Sequence, residues 1–280
     1  MNIKYLLILL LSMAACANNN KDAYTSPKQY DLTKPEKFVM PPVLREISGI
    51  AFNKGNSDSI YAEQDEEGKV FHFKLDDKNL LTTKFSKKGD YEDMAISNQT
   101  VWMLRSDGTL FSFPLNEINK TDAGNVQEWN GLLPVAEYES MYIDETSNLL
   151  YVLCKHCDND KTSKQTTGYT FKLSGDGPVL QQGFVIDVKQ IEKLLGENKI
   201  SFHPSALARN VITNEWFILS SVNKSLVVAD KDFVIKEVHR LNPTIFNQPE
   251  GMAFDKQGSL FISNEGGAKG EGNVLKFKRK

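Results

Sequence analysis

The segment Ser48-Gly49-Ile50-Ala51-Phe52 is the first of five related segments that recur along this 280-residue chain. The other four are Glu92-Asp93-Met94-Ala95-Ile96, Glu139-Ser140-Met141-Tyr142-Ile143, Ser205-Ala206-Leu207-Ala208-Arg209 and Glu250-Gly251-Met252-Ala253-Phe254. Their first residues are 44, 47, 66 and 45 positions apart. Because this spacing is typical of propeller blades, we expect an all-β fold, a β-propeller in which each segment forms the inner strand of one blade.

Two further strand-like segments follow each repeated segment. The second segments are rich in β-branched and aromatic residues, as strands are: 59–62, 101–104, 150–153, 216–219 and 260–263. The third segments are 70–73, 110–113, 169–172, 226–229 and 274–277. A fourth is visible at 184–186 and 234–238. The last repeat lacks one, so we expect the N-terminal segment from Tyr30 to Val39 to supply it and to close the ring.

The longest step between repeats predicts a short helical insertion near 187–197. Asp187 is a suitable N-cap, an apolar stripe follows, and Gly196 is suited to end a helix. The chain therefore predicts five blades. A six-bladed alternative would require this insertion to contain a degenerate blade, for which it is short.

The first residues have the pattern of an export signal. Lys4 precedes the apolar run 6–11, which is too short to span a bilayer. Met13-Ala14-Ala15-Cys16 resembles the lipobox of bacterial lipoproteins, although Met13 stands where Leu is more common. We expect a signal peptide at 1–15, a lipidated Cys16, a flexible tether at 16–29 and a propeller domain at 30–280. The alternative is an ordinary secreted protein with a free Cys16.

Ala17 at the second mature position favours the outer membrane under the enterobacterial sorting rule. We therefore expect a cell-envelope protein attached by its lipid to the outer membrane. The sequence does not indicate whether it faces the periplasm or the cell surface. The formal net charge of −3 gives little support to a nucleic-acid partner. We expect a monomer.

Residues 248–255 (Gln-Pro-Glu-Gly-Met-Ala-Phe-Asp) and 258–265 (Gly-Ser-Leu-Phe-Ile-Ser-Asn-Glu) are the most informative part of the last repeat. Together with the succession Ser, Glu, Glu, Ser, Glu at the first position of the repeats, they resemble the SdiA-regulated protein family, a group of envelope β-propellers. The resemblance covers 30–280. The Pro-Glu-Gly segment is similar, more loosely, to calcium-dependent lactonase and phytase-like propellers. In those proteins acidic residues that open the inner strands hold calcium in the central channel.

The first residues of the inner strands converge near the propeller axis. We expect Glu92, Glu139 and Glu250 to meet at one mouth of the central channel, where like charges would repel unless a cation neutralised them. Calcium accepts such oxygen ligands, and Glu46, Ser48 and Ser205 would complete the set. The alternative is a ring without metal whose carboxylates accept hydrogen bonds from backbone amides of neighbouring blades. Asp93, of opposite parity, is expected to point into the blade packing or into a loop.

The loops after the second strands open at the same mouth. A ligand there would meet polar side chains from these loops: Glu63, Asp65, Arg105, Lys155, His156, Asn223, Asn264 and Glu265. Cys154 and Cys157 form a lone C-x-x-C pair, for which a local disulfide is favoured outside the cytosol over metal, redox activity or free thiols.

No complete catalytic motif is present. The chain has no G-x-S-x-G, no H-E-x-x-H and no phosphate-binding loop. His203, beside the acidic ring, is the one weak candidate for a base.

We therefore expect a lipid-anchored module that binds an unknown small molecule or an envelope protein, with calcium in the channel. The first alternative is a calcium-dependent hydrolase of phosphoesters or lactones. The second is a structural envelope protein without a ligand.

Overall fold

A computed structural model describes residues 24–77, 79–158, 160–268 and 270–280. The predicted signal peptide and Cys16 lie outside the described residues. Twenty strands form five four-stranded antiparallel sheets. The inner strands contact one another in a closed ring, which confirms the prediction of an all-β, five-bladed propeller.

The strands are numbered along the chain, and the first lies before the first repeat: β1 (Glu36–Val39). Blade one contains β2 (Ile47–Ala51), β3 (Ile60–Gln64), β4 (Lys69–Phe73) and β5 (Leu81–Lys84). Blade two contains β6 (Tyr91–Ser97), β7 (Thr100–Arg105), β8 (Leu110–Pro114) and β9 (Gln127–Trp129). Blade three contains β10 (Glu137–Asp144), β11 (Leu149–His156), β12 (Gln165–Ser174) and β13 (Gly177–Asp187).

Blade four contains β14 (Ala206–Asn210), β15 (Glu215–Ser220), β16 (Ser225–Ala229) and β17 (Ile235–Arg240). Blade five contains β18 (Pro249–Phe254), β19 (Leu260–Asn264) and β20 (Asn273–Phe277), with β1 as its outer strand. Two helices occur in the described part of the chain, α1 (Asp160–Ser163) and α2 (Val188–Leu195). Neither is long and apolar enough to cross a bilayer.

The N-terminal strand completes the last blade. β1 pairs antiparallel with β20, with Glu36 opposite Lys276 and Val39 opposite Asn273. Tyr30, before β1, is fully buried, and its hydroxyl donates to the Gly258 carbonyl at 2.7 Å. This pairing puts the two ends of the chain in one sheet, so the ring opens only if a whole strand leaves.

The last residues of the expected tether, 24–29, contact the propeller. Thr25 Oγ1 lies 2.8 Å from His239 Nδ1, and Ser26 Oγ accepts a hydrogen bond from the Leu32 amide at 2.9 Å. The segment before Tyr30 is therefore attached to blade four by a side-chain contact.

Helix α2 forms where the sequence predicts it. The Asp187 side chain accepts a hydrogen bond from the Lys189 amide, and Gly196 ends the helix with a φ of 67°. Val188 and Ile191 are buried, and the helix packs against β17. The insertion is thus an addition to the rim of blade four and not a sixth blade.

Aromatic side chains fill the space between blades three and four. The Trp216 ring lies 4.8 Å from the rings of Tyr151 and Phe233, and Phe233 stacks on Phe184 at 4.1 Å. Such pairs each contribute about 0.5–1.5 kcal/mol beyond their buried area. Packing of this kind gives each pair of neighbouring blades its own core.

Near the axis the inner strands approach too closely for ordinary side chains. A Cβ built on Gly251 would lie 2.2 Å from the Ser48 carbonyl oxygen, and one built on Gly49 would lie 2.7 Å from the Asp93 Cα. The blades are joined at this level by hydrogen bonds: Ser263 Oγ donates to the Ser48 carbonyl at 2.6 Å, and Ser48 Oγ to the Glu92 carbonyl at 3.0 Å. Glycine at the second position of the repeated segment in blades one and five is a requirement of this contact.

We expect Gly251→Ala to lower the free energy of unfolding by about 1–3 kcal/mol, because its methyl group overlaps the backbone of the next blade. Urea denaturation measures the change. Gly175→Ala is the matched control, since a Cβ at Gly175 meets no atom within 4 Å. Equal midpoints for the two variants would contradict this account of the ring.

Candidate functional site

The upper mouth is the end of the central channel at which β2, β6, β10, β14 and β18 begin. Glu92, Glu139 and Glu250 all lie here, and the first two are only 9% and 7% exposed. Burial raises the pKa of Glu92, and the carboxylates of Glu139 and Glu250 raise it further. Burial also raises the pKa of Glu139 and of Glu250. The structure therefore brings the three predicted glutamates into one electrostatic group.

Lys155 places an ammonium group among these glutamates. Its Nζ lies 2.7 Å from Glu139 Oε2 and 3.5 Å from Glu137 Oε1. Burial by itself would lower the pKa of Lys155, but the adjacent Glu139 and Glu92 outweigh it and raise the pKa. Cys154 and Cys157, on either side of this lysine and His156, are joined in a disulfide. The short disulfide loop thus holds the main positive charge of the mouth in place.

A cavity of about 360 Å³ opens between blades three, four and five at this mouth. It is lined by both charges, with Glu139 and Glu250 facing Lys155 and Lys224, and with His203 and Ser221 beside them. Burial lowers the pKa of Lys224. The volume lies within the range of small-molecule sites.

A second acidic group extends the mouth across blades five and one. Burial and the nearby Glu46 raise the pKa of Asp65 to about 6. Burial and the carboxylates of Glu250 and Asp65 raise the pKa of Glu265 to about 8, and its carboxylate accepts a hydrogen bond from Gln248 Nε2. Glu46 lies just before β2 and belongs to this group, not to the cavity that Glu139 and Glu250 line.

The predicted ligand set is assembled only in part. Ser48 and Ser205 donate their hydroxyl protons to the Glu92 and Pro249 carbonyls of the next blades. Among the described residues, the one group of three His, Cys, Asp or Glu ligand atoms within 4.8 Å of one another is Cys154, Cys157 and Asp160. Both sulfurs of that group are in the disulfide and cannot act as thiolate ligands. One ion shared by Glu92, Glu139 and Glu250 would require their side chains to move together and Lys155 to move aside.

Five of the predicted loop residues lie at strand ends: Glu63, Arg105, Lys155, His156 and Asn264. Glu63 and Asn264 are also fully buried, so the prediction that they contact a ligand is wrong. Glu63 Oε1 accepts a hydrogen bond from the Gly49 amide at 2.6 Å, while its buried Oε2 has no partner. Burial raises the pKa of Glu63 well above its ordinary value. Asn264 donates to Asn273 Oδ1 at 3.2 Å.

The other loop residues divide between the mouth and local contacts. Asp65, Lys155 and Glu265 belong to the acidic mouth. Arg105 is held within blade two by Asp107, with Nη2 2.8 Å from Oδ2. Asn223 Oδ1 accepts from the His203 amide at 3.4 Å and from Ser220 Oγ at 2.8 Å.

The two histidines at the mouth are engaged by protein groups. His156 Nδ1 lies 2.6 Å from Glu137 Oε2, and its ring is 4.3 Å from that of His203. His203 Nδ1 lies 3.2 Å from the Lys155 carbonyl, and Nε2 lies 2.9 Å from Ser201 Oγ. Because both ring nitrogens of His203 have partners, its environment is that of a structural histidine.

In the alternative without metal, the three glutamates accept hydrogen bonds from backbone amides of neighbouring blades. In the structure, Asp93 makes hydrogen bonds of this kind. Its carboxylate accepts from the Met94 amide and, across to blade three, from the Met141 amide, both at 2.8 Å. Burial raises the pKa of Asp93 well above its ordinary value. Asp93 therefore lies in the packing between blades, one of the two locations that its parity predicts.

Three contributors to the mouth were missed from the sequence: Glu137, Ser221 and Lys224. Glu137 precedes Glu139 by two residues, as Glu46 precedes Ser48. Ser221 and Lys224 lie in the loop after β15, as Asn223 does. Their positions relative to the axis depend on how blade four packs against its neighbours.

Comparison with known proteins supports the fold. No family model and no curated protein matches the sequence. Among solved structures, the chain is similar to a glutaminyl cyclase from Myxococcus xanthus, with 12% identity, a TM-score of 0.56 and coverage of 88% of this chain and 95% of that one. It is also similar to a luciferin-regenerating enzyme, with 7% identity, a TM-score of 0.53 and coverage of 88% and 95%. At these identities the similarity shows the β-propeller fold alone.

The raised pKa of Glu92 makes stability depend on pH. A carboxyl group whose folded pKa lies above its unfolded value stabilises the fold fully below the unfolded pKa and loses that contribution as pH rises through the folded pKa. We therefore expect the Tm of the metal-free protein to fall between pH 5 and pH 9. Glu92→Gln should raise Tm at pH 8 by about 2–4 °C, the shift that about 1 kcal/mol produces in a domain of this size, with little effect at pH 5.

Glu36→Gln, at an exposed position in β1, is the control and should leave Tm unchanged at both pH values. Calorimetry in a chelator-containing buffer measures these shifts. An effect of Glu92→Gln that is the same at pH 5 and pH 8 would show that the charge of Glu92 is not its cause.

Proposed function

We propose that this chain is a lipid-anchored binding module of the cell envelope, of the SdiA-regulated type, whose upper mouth binds a cationic ligand. The observation that carries the proposal is the excess of buried and half-buried carboxylates over ammonium groups at that mouth. The acidic side chains come from four blades: Glu46, Asp65, Glu92, Glu137, Glu139, Glu250 and Glu265. Against these seven carboxylates stand two lysines that line the cavity, Lys155 and Lys224, and Arg45, which lies 3.8 Å from Glu46.

The physical reason is the energy of like charges in a poorly solvated space. Carboxylates that are buried together either hold protons or take up a cation, because water does not screen their repulsion. With its pKa raised to about 8, Glu265 would hold a proton at neutral pH. A cation at the mouth would replace these protons.

Calcium is the first candidate, because its ligands are carboxylates, carbonyls and water. Glu92, Glu139 and Glu250 would hold it, and the ion would supply positive charge at the position that the Lys155 ammonium now shares. Calcium and Lys155 would therefore compete for Glu139. The hydrolase alternative has no support from His203, because both of its ring nitrogens already have protein partners.

The membrane anchor is part of the proposal and rests on the Met13-Ala14-Ala15-Cys16 motif. We expect Cys16→Ser to move the protein from the membrane fraction to the soluble fraction and to abolish incorporation of labelled palmitate. The double variant Cys154→Ser/Cys157→Ser is the control, because it alters cysteines of the propeller and should leave acylation intact. Labelling of the Cys16→Ser variant would refute lipidation at that residue.

For the upper mouth we expect Ca²⁺ to bind with an affinity that rises from pH 6 to pH 8 and to release protons, because it displaces them from the glutamates. Isothermal titration calorimetry in buffers of different ionisation enthalpy measures both quantities. Glu139→Gln should weaken binding at least about tenfold, which is about 1.4 kcal/mol. Lys155→Met should tighten it by removing the competing ammonium.

Glu36→Gln again serves as the matched surface control. Spermidine is titrated in parallel, because an organic polyamine is also a cation and would bind to the same carboxylates. Binding of spermidine without Ca²⁺ would keep the cationic-ligand proposal and discard calcium. The absence of heat and of a Tm shift with both would overturn the proposal.

A further inference from the structure

The opposite end of the central channel contains a second cavity, of about 420 Å³, which we call the lower channel. All five inner strands and the turns that follow them contribute to it. Its surface is mostly apolar, and its apolar lining includes Phe52, Met94, Ile96, Met141, Ile143 and Met252. The two cavities share one axis but have opposite chemistry, since the upper mouth is lined by charged groups.

The repeated segment explains why this space exists. Its fourth position is alanine in four blades, Ala51, Ala95, Ala208 and Ala253, and all four line the lower channel. Ala95 and Ala253 are partly exposed to it, whereas the third-position residues are buried. Small side chains at this level leave the axis open, and the neighbouring Ile, Met and Phe side chains make its wall apolar.

The carboxylates around the lower channel already accept hydrogen bonds. Asp144 is paired with Arg209 Nη1 at 3.1 Å and accepts from the Thr146 amide at 2.9 Å. Asp255 accepts from the Ser259 amide at 2.7 Å and from the Gln257 amide at 3.0 Å. These two aspartates cap the turns after the inner strands. Aspartate is common in such turns because its side chain accepts hydrogen bonds from backbone amides two residues further on.

The basic groups of the same rim have unused donors. Lys54 and Lys256 are exposed, and neither side chain has a hydrogen bond or ion pair with any described residue. Arg209 Nε is buried and has no partner. The lining also includes Asp93, which accepts from the Met94 and Met141 amides, and Glu145, which accepts from the Asn98 amide at 3.3 Å. The rim therefore has unused hydrogen-bond donors on Lys54, Lys256 and Arg209, whereas each of its carboxylates already accepts a hydrogen bond.

We propose that the lower channel is a second ligand site and that it takes an amphipathic anion. The apolar part of the ligand, of the size of a medium-length acyl chain or two fused aromatic rings, lies along the axis between the inner strands. Its carboxylate or sulfonate lies at the rim, where Lys54, Lys256 and Arg209 donate to it. The cavity volume falls in the range of sites that enclose most of a small ligand. The site is independent of cation binding at the upper mouth, whose charge would repel this ligand.

The test uses the full chain and the fluorescent anion 8-anilinonaphthalene-1-sulfonate, which brightens in apolar surroundings. We expect one saturable site, with the same affinity in calcium and in chelator. Decanoate should displace the probe at a concentration at least about tenfold lower than decanol does, because the two share an apolar chain and differ in the charge of the head group. No saturable binding, or equal displacement by decanoate and decanol, would overturn the proposal.

Two kinds of variant locate the site. Ala253→Trp and, from another blade, Ala95→Phe fill the channel and should abolish probe binding while circular dichroism and Tm show a folded propeller. Lys54→Asn with Lys256→Gln should weaken decanoate about tenfold and leave decanol unchanged; Asn suits the φ of 50° at Lys54. Glu36→Gln is the control. Folded channel-filling variants that bind the probe as the wild type does would overturn the assignment to the lower channel.

Discussion

The close approach of the five inner strands at the axis is the constraint on which the rest of this structure depends. At Gly251 and Gly49 there is no room for a Cβ, because the backbone of the neighbouring blade lies against them. At the same level Ser48, Ser205, Ser263 and the Asp93 carboxylate bond to backbone groups of adjacent blades. These contacts join four of the five pairs of neighbouring blades near the axis, and each pair also has an apolar core further out. The pairing of β1 with β20 then removes the one point at which the ring could open strand by strand.

The same approach creates the electrostatics of the upper mouth. Strands that begin close together bring their first side chains close together, so Glu92, Glu139 and Glu250 interact although they are far apart in sequence. Burial raises the pKa of all three, and repulsion by neighbouring carboxylates raises the pKa of Glu92 and Glu139 further. Lys155 offsets part of the repulsion between these carboxylates. It lies between the disulfide-bonded Cys154 and Cys157 in sequence, and its ammonium group is 2.7 Å from Glu139. The negative charge of the upper mouth can therefore be neutralised by bound protons, by the Lys155 ammonium group or by an external cation.

One short repeated segment gives the channel two different ends. Its first position places acidic or hydroxyl groups at the upper mouth, and its third to fifth positions place apolar side chains and alanine along the lower channel. A ligand at one end and a ligand at the other would therefore differ in charge and in hydrophobicity. In the turns after the inner strands, the carboxylates of Asp144 and Asp255 accept hydrogen bonds from backbone amides. The basic side chains nearby therefore keep hydrogen-bond donors for a ligand.

The sequence by itself determined the propeller, the number of blades, the helix after Asp187 and the convergence of the three glutamates. These follow from local patterns repeated at a regular interval, and each repeat constrains the others. Only the tertiary structure decided which side chains of the mouth are available. Glu63 and Asn264 are buried at the ends of strands that continue one or two residues further than propensity indicates. The ion pair of Lys155 with Glu139 depends on the pairing of β10 with β11 in blade three, and the contribution of Lys224 depends on how blade four packs against its neighbours. The lower channel could not be inferred from alanine alone, because an alanine leaves a cavity only where no neighbouring side chain fills the space, and that is a property of all five strands together.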